Sequence, residues 1–76
     1  MHEVLLRFRV LKNDKIFEVL LDDRLSFREN LRLLSELTDE KLEDYRIYDL
    51  ERNIFLDDRI PLSRMKIAVY AMFYLL

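Results

Sequence analysis

The sequence contains no cysteine, no glycine and no tryptophan, and it has only one proline. Without cysteine there are no disulfides and no thiolate chemistry, and nothing indicates an oxidising compartment. Without glycine there is no glycine-rich loop to hold a phosphate. Any turn that needs a positive φ must then use Asn or Asp.

Strong charge of either sign and long apolar runs are also lacking. Thirteen Lys and Arg residues face fifteen Asp and Glu, so the net charge of −2 gives no basic field for nucleic acid or acidic lipid. No apolar run reaches about 18 residues, and the N-terminus does not resemble a signal peptide. We therefore expect a cytoplasmic location and no membrane insertion.

The length of 76 residues and the 51% hydrophobic content predict one small packed domain over 1–76.

One segment has the pattern of an amphipathic helix. Ser26 and Glu29 have the spacing of a capping box, in which each side chain bonds the other's backbone N–H. Apolar residues then recur at spacings of four, three and three, which is the period of one helix face. They are Phe27, Leu31, Leu34 and Leu37, and Asn30 lies close to this stripe. We predict a helix over 26–37.

The rest of the chain has strand character. Alternation predicts a hairpin whose core-facing residues are Val4, Leu6, Phe8, Val10, Phe17, Val19 and Leu21. Its turn contains Asn13 and Asp14, which tolerate left-handed conformations. Leu42 is predicted to fill the core beneath a loop or short helical turn.

Further strands are predicted over 45–50 and 54–56, joined by a turn with Asn53 at the special position. The segment 66–76 has ten apolar residues in eleven and predicts a central strand. The element order is therefore β-β-α-β-β-β. A hairpin, one helix and a late apolar strand predict an α+β protein of the β-grasp architecture, a mixed sheet with one helix across one face.

With this order, the sequence resembles the ubiquitin-like proteins over nearly its whole length. Ser26 and Phe27 fall where ubiquitin has its helix cap and first helical residue. The tail Leu62-Ser63-Arg64-Met65-Lys66-Ile67, followed by a strand ending Phe73-Tyr74-Leu75-Leu76, is most similar to the small bacterial EsaB/YukD group associated with type VII secretion. That group has an Asn-Gly-Asp turn before its last strand, whereas this chain has Val69-Tyr70-Ala71. Either the turn is built differently or the strand begins earlier.

The resemblance carries three further implications. Ubiquitin-type conjugation and sulfur-carrier chemistry need a Gly-Gly tail, and the sequence ends in Leu75-Leu76, so we expect neither. The central isoleucine of ubiquitin's recognition patch aligns with Arg46, so receptors that recognise that patch are not expected to bind. A cytoplasmic accessory or regulatory role in a type VII-like secretion system is what the resemblance implies.

Enzymatic chemistry finds little support. His2 is the only histidine, it lies beside the N-terminus, and we expect it to be solvated. The pairs Asp22-Asp23 and Asp57-Asp58 lack the spacing of a calcium loop and the apolar pocket of a glycosidase. We expect them to be solvated loop residues. No catalytic residue, cofactor or metal is predicted.

Binding to another protein is better supported. The sheet face away from the helix is predicted to carry Leu5, Arg7, Arg9, Glu18, Leu20, Arg46, Tyr48 and Tyr74. Arginine and tyrosine are enriched in interface hot spots. Not all apolar residues near the C-terminus can be internal, which adds a second exposed surface. The candidate binding residues are Arg7, Arg9, Arg46, Tyr48, Tyr70, Met72 and Tyr74.

Alternatives stay open at this stage. Arg7 and Arg9 could simply pair with Glu18 across strands. The chain could be a homodimeric regulator, or an RNA-binding module using arginines and stacked tyrosines. The net charge counts against RNA, so no nucleic-acid partner is expected. The prediction is a non-enzymatic protein-binding module whose partner is another protein, such as a membrane component of a secretion system.

Overall fold

The computed structural model describes residues 2–76 as one five-stranded sheet with a helix across one face. The strands are β1 (Glu3–Val10), β2 (Lys15–Asp22), β3 (Ile47–Asp49), β4 (Ile54–Phe55) and β5 (Met72–Leu75). The helix α1 spans Phe27–Ser35, and single 3₁₀ turns occupy Leu42–Asp44 and Leu62–Arg64.

The sheet is mixed and its order is β2-β1-β5-β3-β4. β1 runs parallel to β5, and the neighbours β1/β2, β3/β5 and β3/β4 are antiparallel. The last strand therefore lies in the middle of the sheet, as its apolar sequence predicts. This order, with one helix on one face, confirms the β-grasp architecture.

Aromatic packing joins the helix to the central strands. The rings of Phe27 on α1 and Phe73 on β5 are 5.2 Å apart, and both contact Phe8 on β1, at 6.0 and 5.8 Å. All three side chains are completely buried. Leu42 is also buried, and its 3₁₀ turn closes the core beneath the helix, as predicted.

The start of the helix is as predicted, but its end is not. Ser26 Oγ accepts from Glu29 N at 3.1 Å, and the Glu29 carboxylate accepts from Ser26 N at 3.3 Å, which completes the capping box. The helix then ends at Ser35, and Leu37 is 83% exposed. The prediction that Leu37 continues the core stripe is wrong. Ser35 Oγ donates to Leu31 O and accepts from Leu42 N at 2.7 Å, which turns the chain away one residue after the helix.

Asn30 has a larger role than its position beside the stripe suggested. Its side chain is buried against the last residue of β2. Asn30 Oδ1 accepts from Asp22 N, and Asn30 Nδ2 donates to Asp22 O and Ser26 O, each at 2.9 Å. The amide therefore satisfies both backbone groups of Asp22 and fixes α1 to the end of β2.

The predicted third and fifth strands are too long. β3 covers Ile47–Asp49 rather than 45–50, and β5 covers Met72–Leu75 rather than 66–76. The chain before β5 contains two residues with positive φ, Lys66 at 52° and Tyr70 at 65°, which an extended strand does not accommodate. Of the two alternatives for Val69-Tyr70-Ala71, the structure shows the different turn.

Within residues 2–76, positive φ occurs at four residues, none of them glycine. Asp14 at 62° and Asn53 at 58° are the turn residues predicted for the two hairpins. Asn13 is not left-handed; its side-chain oxygen instead accepts from Lys15 N at 3.1 Å. The expectation that every such turn uses Asn or Asp is wrong, because Lys66 and Tyr70 also lie in the left-handed region. Among residues 2–76, no helix is long and apolar enough to cross a membrane.

Candidate protein-binding face

The sheet surface away from α1 is not covered by any described element. We call it the open face. Strand register places on it Leu5 opposite Leu20, Arg7 between Glu18 and Met72, and Arg9 between Ile16 and Tyr74. On the other half of the sheet, Tyr48 lies between Tyr74 and Phe55. Alternation along β1 and β5 therefore brings the predicted arginines and tyrosines to one surface.

Arg46 joins this surface although it lies just before β3. Its backbone N donates to Leu76 O at 2.8 Å, and Leu76 N donates back to Arg46 O at 3.0 Å. This pair continues the β3/β5 ladder by one residue. Arg46 therefore alternates with buried Ile47 and shares the open face with Tyr48.

An arginine and aromatic cluster forms at the β3/β4 side. Arg46 Cζ is 4.5 Å from the centroid of the Phe55 ring, which is the geometry of a cation–π contact. The Phe55 and Tyr48 rings meet edge to face at 5.1 Å. The Tyr48 hydroxyl bonds Asn53 Oδ1, and so ties the cluster to the left-handed turn. We call Arg46, Tyr48, Phe55 and Tyr74 the aromatic–arginine cluster.

Arg9 borders the cluster from β1. Its Cζ is 5.9 Å from the Tyr74 ring centroid, and its Nε donates to Asp14 Oδ1 at 2.6 Å. The Asp14 carboxylate raises the pKa of Arg9 through this hydrogen bond and its charge. The turn residue therefore neutralises one arginine of the face and holds it beside Tyr74.

Arg7 and Arg9 do not pair with Glu18, so the alternative of a simple cross-strand ion pair is wrong. Glu18 lies opposite Arg7 in the ladder, but Arg7 Nε instead donates to Tyr70 O at 2.9 Å. Within residues 2–76, Arg7 and Arg46 form no ion pair with a carboxylate, whereas six other basic side chains and His2 do so. The open face thus presents two guanidinium groups whose charge no carboxylate of the described chain neutralises.

Tyr70 and Met72 lie at the β1/β5 side, away from the aromatic–arginine cluster. Tyr70 N donates to Leu5 O at 2.7 Å, which fixes the turn before β5 against β1. The Tyr70 side chain is 54% exposed, next to exposed Val69, while Met72 is half-buried opposite Arg7. The seven candidate residues therefore divide between two parts of one surface.

Phe55 is the member of the cluster that sequence reasoning missed. It lies in a two-residue strand within the apolar run Ile54-Phe55-Leu56, where alternation gives no indication of which side chain is outside. It is 47% exposed and lies beneath Arg46. An exposed phenylalanine held by a cation–π contact is typical of an interface residue.

The acidic pairs form turns. In each, the first aspartate bonds both the backbone N–H and the Nε of an arginine two residues later. Asp22 pairs with Arg24 and Asp57 with Arg59, and Asp58 contacts Arg28 at 3.1 Å. His2 is exposed, as expected, and its Nδ1 lies 3.6 Å from Asp23 Oδ1, which is beyond hydrogen-bond distance. Within residues 2–76, no three histidine or acidic side chains cluster as a metal site would require.

The comparisons with known proteins agree with the fold. The chain has the ubiquitin-like β-grasp fold. It is similar to the UBL domain of Dsk2 from Plasmodium falciparum, with 20% identity, a TM-score of 0.74, and coverage of 96% of this chain and 95% of that domain. A ubiquitin-like domain from Arabidopsis thaliana has 14% identity and a TM-score of 0.77, covering 100% and 78%.

A third similar structure is the C-terminal ubiquitin-like domain of mouse tubulin-specific chaperone e. It has 18% identity and a TM-score of 0.70, covering 97% of this chain and 84% of that domain. No family model and no curated protein sequence matches the chain. At these identities the structural similarity shows the fold, and the function must be argued from the surface.

Proposed function

We propose that this chain is a non-enzymatic ubiquitin-like module that binds another protein through its open face. The observation that carries the proposal is the aromatic–arginine cluster, in which Arg46 stacks on half-exposed Phe55 and Tyr48 lies between Phe55 and Tyr74. Tyrosine and arginine dominate interface hot spots because they bury a large area and still satisfy polar groups at their tips.

The arrangement supports binding in a definite orientation. The cluster residues lie on paired strands, so little conformational entropy is lost when a partner covers them. Arg7 and Arg46 carry positive charge without a carboxylate partner in the described chain. A partner with acidic groups around an apolar centre would complement this surface, and its charges would set the orientation.

The finer proposal is that the partner belongs to a type VII-like secretion system. The resemblance of the segment 62–76 to the EsaB/YukD group supports this proposal. The module would then act in the cytoplasm as an accessory or regulator that docks on a cytoplasmic segment of a membrane component. Docking alone accounts for such a role, so no catalytic group is invoked.

The test is co-purification from cells of the source organism with wild-type and variant bait. We expect the double variant Arg46→Glu with Tyr74→Ala to lose the specific partner, because it reverses the stacked charge and removes an aromatic ring. Alanine replacement of one hot-spot residue weakens binding by about 2 kcal/mol or more, so retention should fall at least tenfold. Arg64→Glu, an exposed charge reversal off the sheet, is the matched control.

Unchanged partner recovery with the double variant, at unchanged thermal stability, would contradict the open face as the binding site. Loss of the partner with both the double variant and Arg64→Glu would show only a general charge effect and would also contradict the open face as the specific site. Identification of the retained protein by mass spectrometry tests the finer proposal: a partner unrelated to secretion would reject it and leave the binding module standing.

A further inference from the structure

The longest strand at a sheet edge is β2, and no strand of the described chain pairs with its outer side. Asp23 N donates to His2 O at 2.7 Å, so this pair is hydrogen-bonded across the β1/β2 ladder. Antiparallel pairs alternate, and therefore the N–H and C=O groups of Ile16, Glu18 and Leu20 point away from β1. The N–H and C=O groups of Asp22 also point away from β1, and both are hydrogen-bonded to the Asn30 side chain.

This edge lacks two features that often prevent strand addition, since it has no proline and no lysine between its ends. Its core-side residues Phe17 and Val19 pack against the hydrophobic core but are only half-buried. Apolar side chains border it on both faces, with Ile16 and Leu20 on the open face and Leu33 and Leu37 on the helix side. The edge is therefore open, and Glu18 is the one charged side chain along its middle.

We propose that β2 pairs with β2 of a second copy, antiparallel, to form a ten-stranded sheet in a two-fold dimer. Two antiparallel edge strands are related by a two-fold axis perpendicular to the sheet, so both helices lie on one side. This proposal concerns a surface other than the aromatic–arginine cluster and does not rest on the proposed function.

Charge complementarity selects the register. A register centred on Glu18 would place two glutamates directly opposite each other, which is unfavourable. Shifting the centre to Val19 places Glu18 opposite Leu20 of the second copy and Lys15 opposite Asp23 of the second copy. The Lys15 side chain is 67% exposed and its Nζ contacts Glu40 Oε1 at 3.1 Å within its own copy, whereas the Asp23 side chain is 32% exposed. The two ends of the edge thus carry opposite charges.

The register also matches the free backbone groups. With Val19 at the centre, Glu18 and Leu20 of the two copies form two hydrogen-bonded pairs. The next such pair would need Asp22, whose backbone groups Asn30 already occupies. The ladder between copies therefore stops at this point, and the apolar side chains bordering the edge supply the remaining contact.

The first measurement is sedimentation velocity of the purified chain from micromolar to millimolar concentration, with backbone amide exchange followed by NMR. We expect a monomer–dimer equilibrium, with the Glu18 and Leu20 amides protected only where the dimer is populated. The amides of β2 that point toward β1 should be protected at all concentrations, because their hydrogen bonds to β1 exist in each copy.

A matched pair of substitutions tests the register. In the dimer, residue 20 of each copy lies across from Glu18 of the other copy. Leu20→Glu therefore creates two repulsive pairs, whereas Leu20→Lys creates two attractive pairs. Both lose the same contact with Leu5 within one copy, so their folding stabilities should agree. We expect the dimer of Leu20→Glu to be at least about tenfold weaker than that of Leu20→Lys.

A chain that remains monomeric at millimolar concentration, with edge amides exchanging at a concentration-independent rate, overturns the proposal in favour of a strand from a different protein. A dimer that both substitutions affect equally also overturns it, because the copies would then meet elsewhere. Loss of partner capture by the open-face variants has no bearing on this result, so the two proposals fail separately.

Discussion

Four of the described residues adopt positive φ without being glycine, and each lies where the chain turns. For Asp14 and Asn53 the left-handed region is common, because short polar side chains can hydrogen-bond locally. Lys66 and Tyr70 gain no such bond, and a left-handed conformation costs roughly 1–2 kcal/mol for an ordinary residue. Backbone contacts hold them: Tyr70 N bonds Leu5 O, and Lys66 O accepts from Arg52 Nη2 at 3.1 Å.

Replacing Lys66 by glycine should therefore stabilise the fold. Gly removes the steric cost of φ 52°, and part of the gain is lost because Gly also gives the unfolded chain more freedom. We expect the free energy of unfolding to rise by up to about 1 kcal/mol in urea titrations. Lys66→Ala removes the same side chain but keeps the Cβ, and should leave stability nearly unchanged. Equal effects of both variants would contradict a backbone origin.

The Asp22 carboxylate links stability to pH. Its hydrogen bonds with Arg24 lower the pKa of Asp22 from 3.8 to about 2. A group with a lowered pKa in the folded state stabilises the fold above its unfolded pKa, and this contribution disappears as the pH falls toward the folded value. The hydrogen bonds of Asp57 with Arg59 lower the pKa of Asp57 in the same way.

We expect the melting temperature to fall between about pH 4 and pH 2, and Asp22→Asn to reduce that slope. Asp39→Asn, which changes an exposed carboxylate without an ion pair in the described chain, is the control. Thermal denaturation by circular dichroism across this range measures the effect. Identical slopes for wild type and Asp22→Asn would show that the Arg24 pair does not persist in solution.

Among the elements, the contact between α1 and β2 depends on one buried amide. Asn30 provides three hydrogen bonds, and two of them satisfy backbone groups of Asp22. Asn30→Leu fits the apolar surroundings but leaves those groups unpaired, so we expect a loss of about 2–4 kcal/mol in the free energy of unfolding. Leu33→Ala, on the exposed side of the same helix, should change it by less than about 0.5 kcal/mol. A small loss for Asn30→Leu would mean that water replaces the amide.

The elements that local chemistry defines could be predicted from the sequence. The capping box, the alternation of β1 and β2 and the Asn53 turn each depend on neighbouring residues. The helix end could not be predicted, because Leu37 continues the apolar period while Ser35 ends the helix through Leu42, seven residues away. The start of β5 was missed for a similar reason, since Tyr70 is fixed by β1 across the sheet.

The candidate site was partly predictable for the same reasons. Alternation placed Arg7, Arg9, Tyr48 and Tyr74 on one face, because each lies in a strand whose buried neighbours are clear. Phe55 could not be assigned, since a two-residue strand has no period. The partners of the arginines were also not predictable: Asp14 and the Tyr70 carbonyl reach them from turns rather than from the opposite strand.

For the whole molecule, the dimer inferred at β2 would have a direct effect on the open face. A two-fold axis perpendicular to the sheet keeps both open faces on the same side. Two aromatic–arginine clusters would then point in one direction from opposite ends of a continuous sheet. A partner carrying two binding segments would gain avidity from this arrangement without any additional contact.

The two edges of the sheet are unequal, and this limits how far strand pairing can extend. β2 offers eight residues, whereas β4 at the opposite edge has two. Growth from one molecule to the next into an open fibre requires adhesive edges on both sides. A molecule whose only long edge is consumed in a self-complementary pair forms a closed assembly. In the proposed dimer, the short fourth strand would therefore keep a glycine-free, strand-rich chain from polymerising through its own backbone.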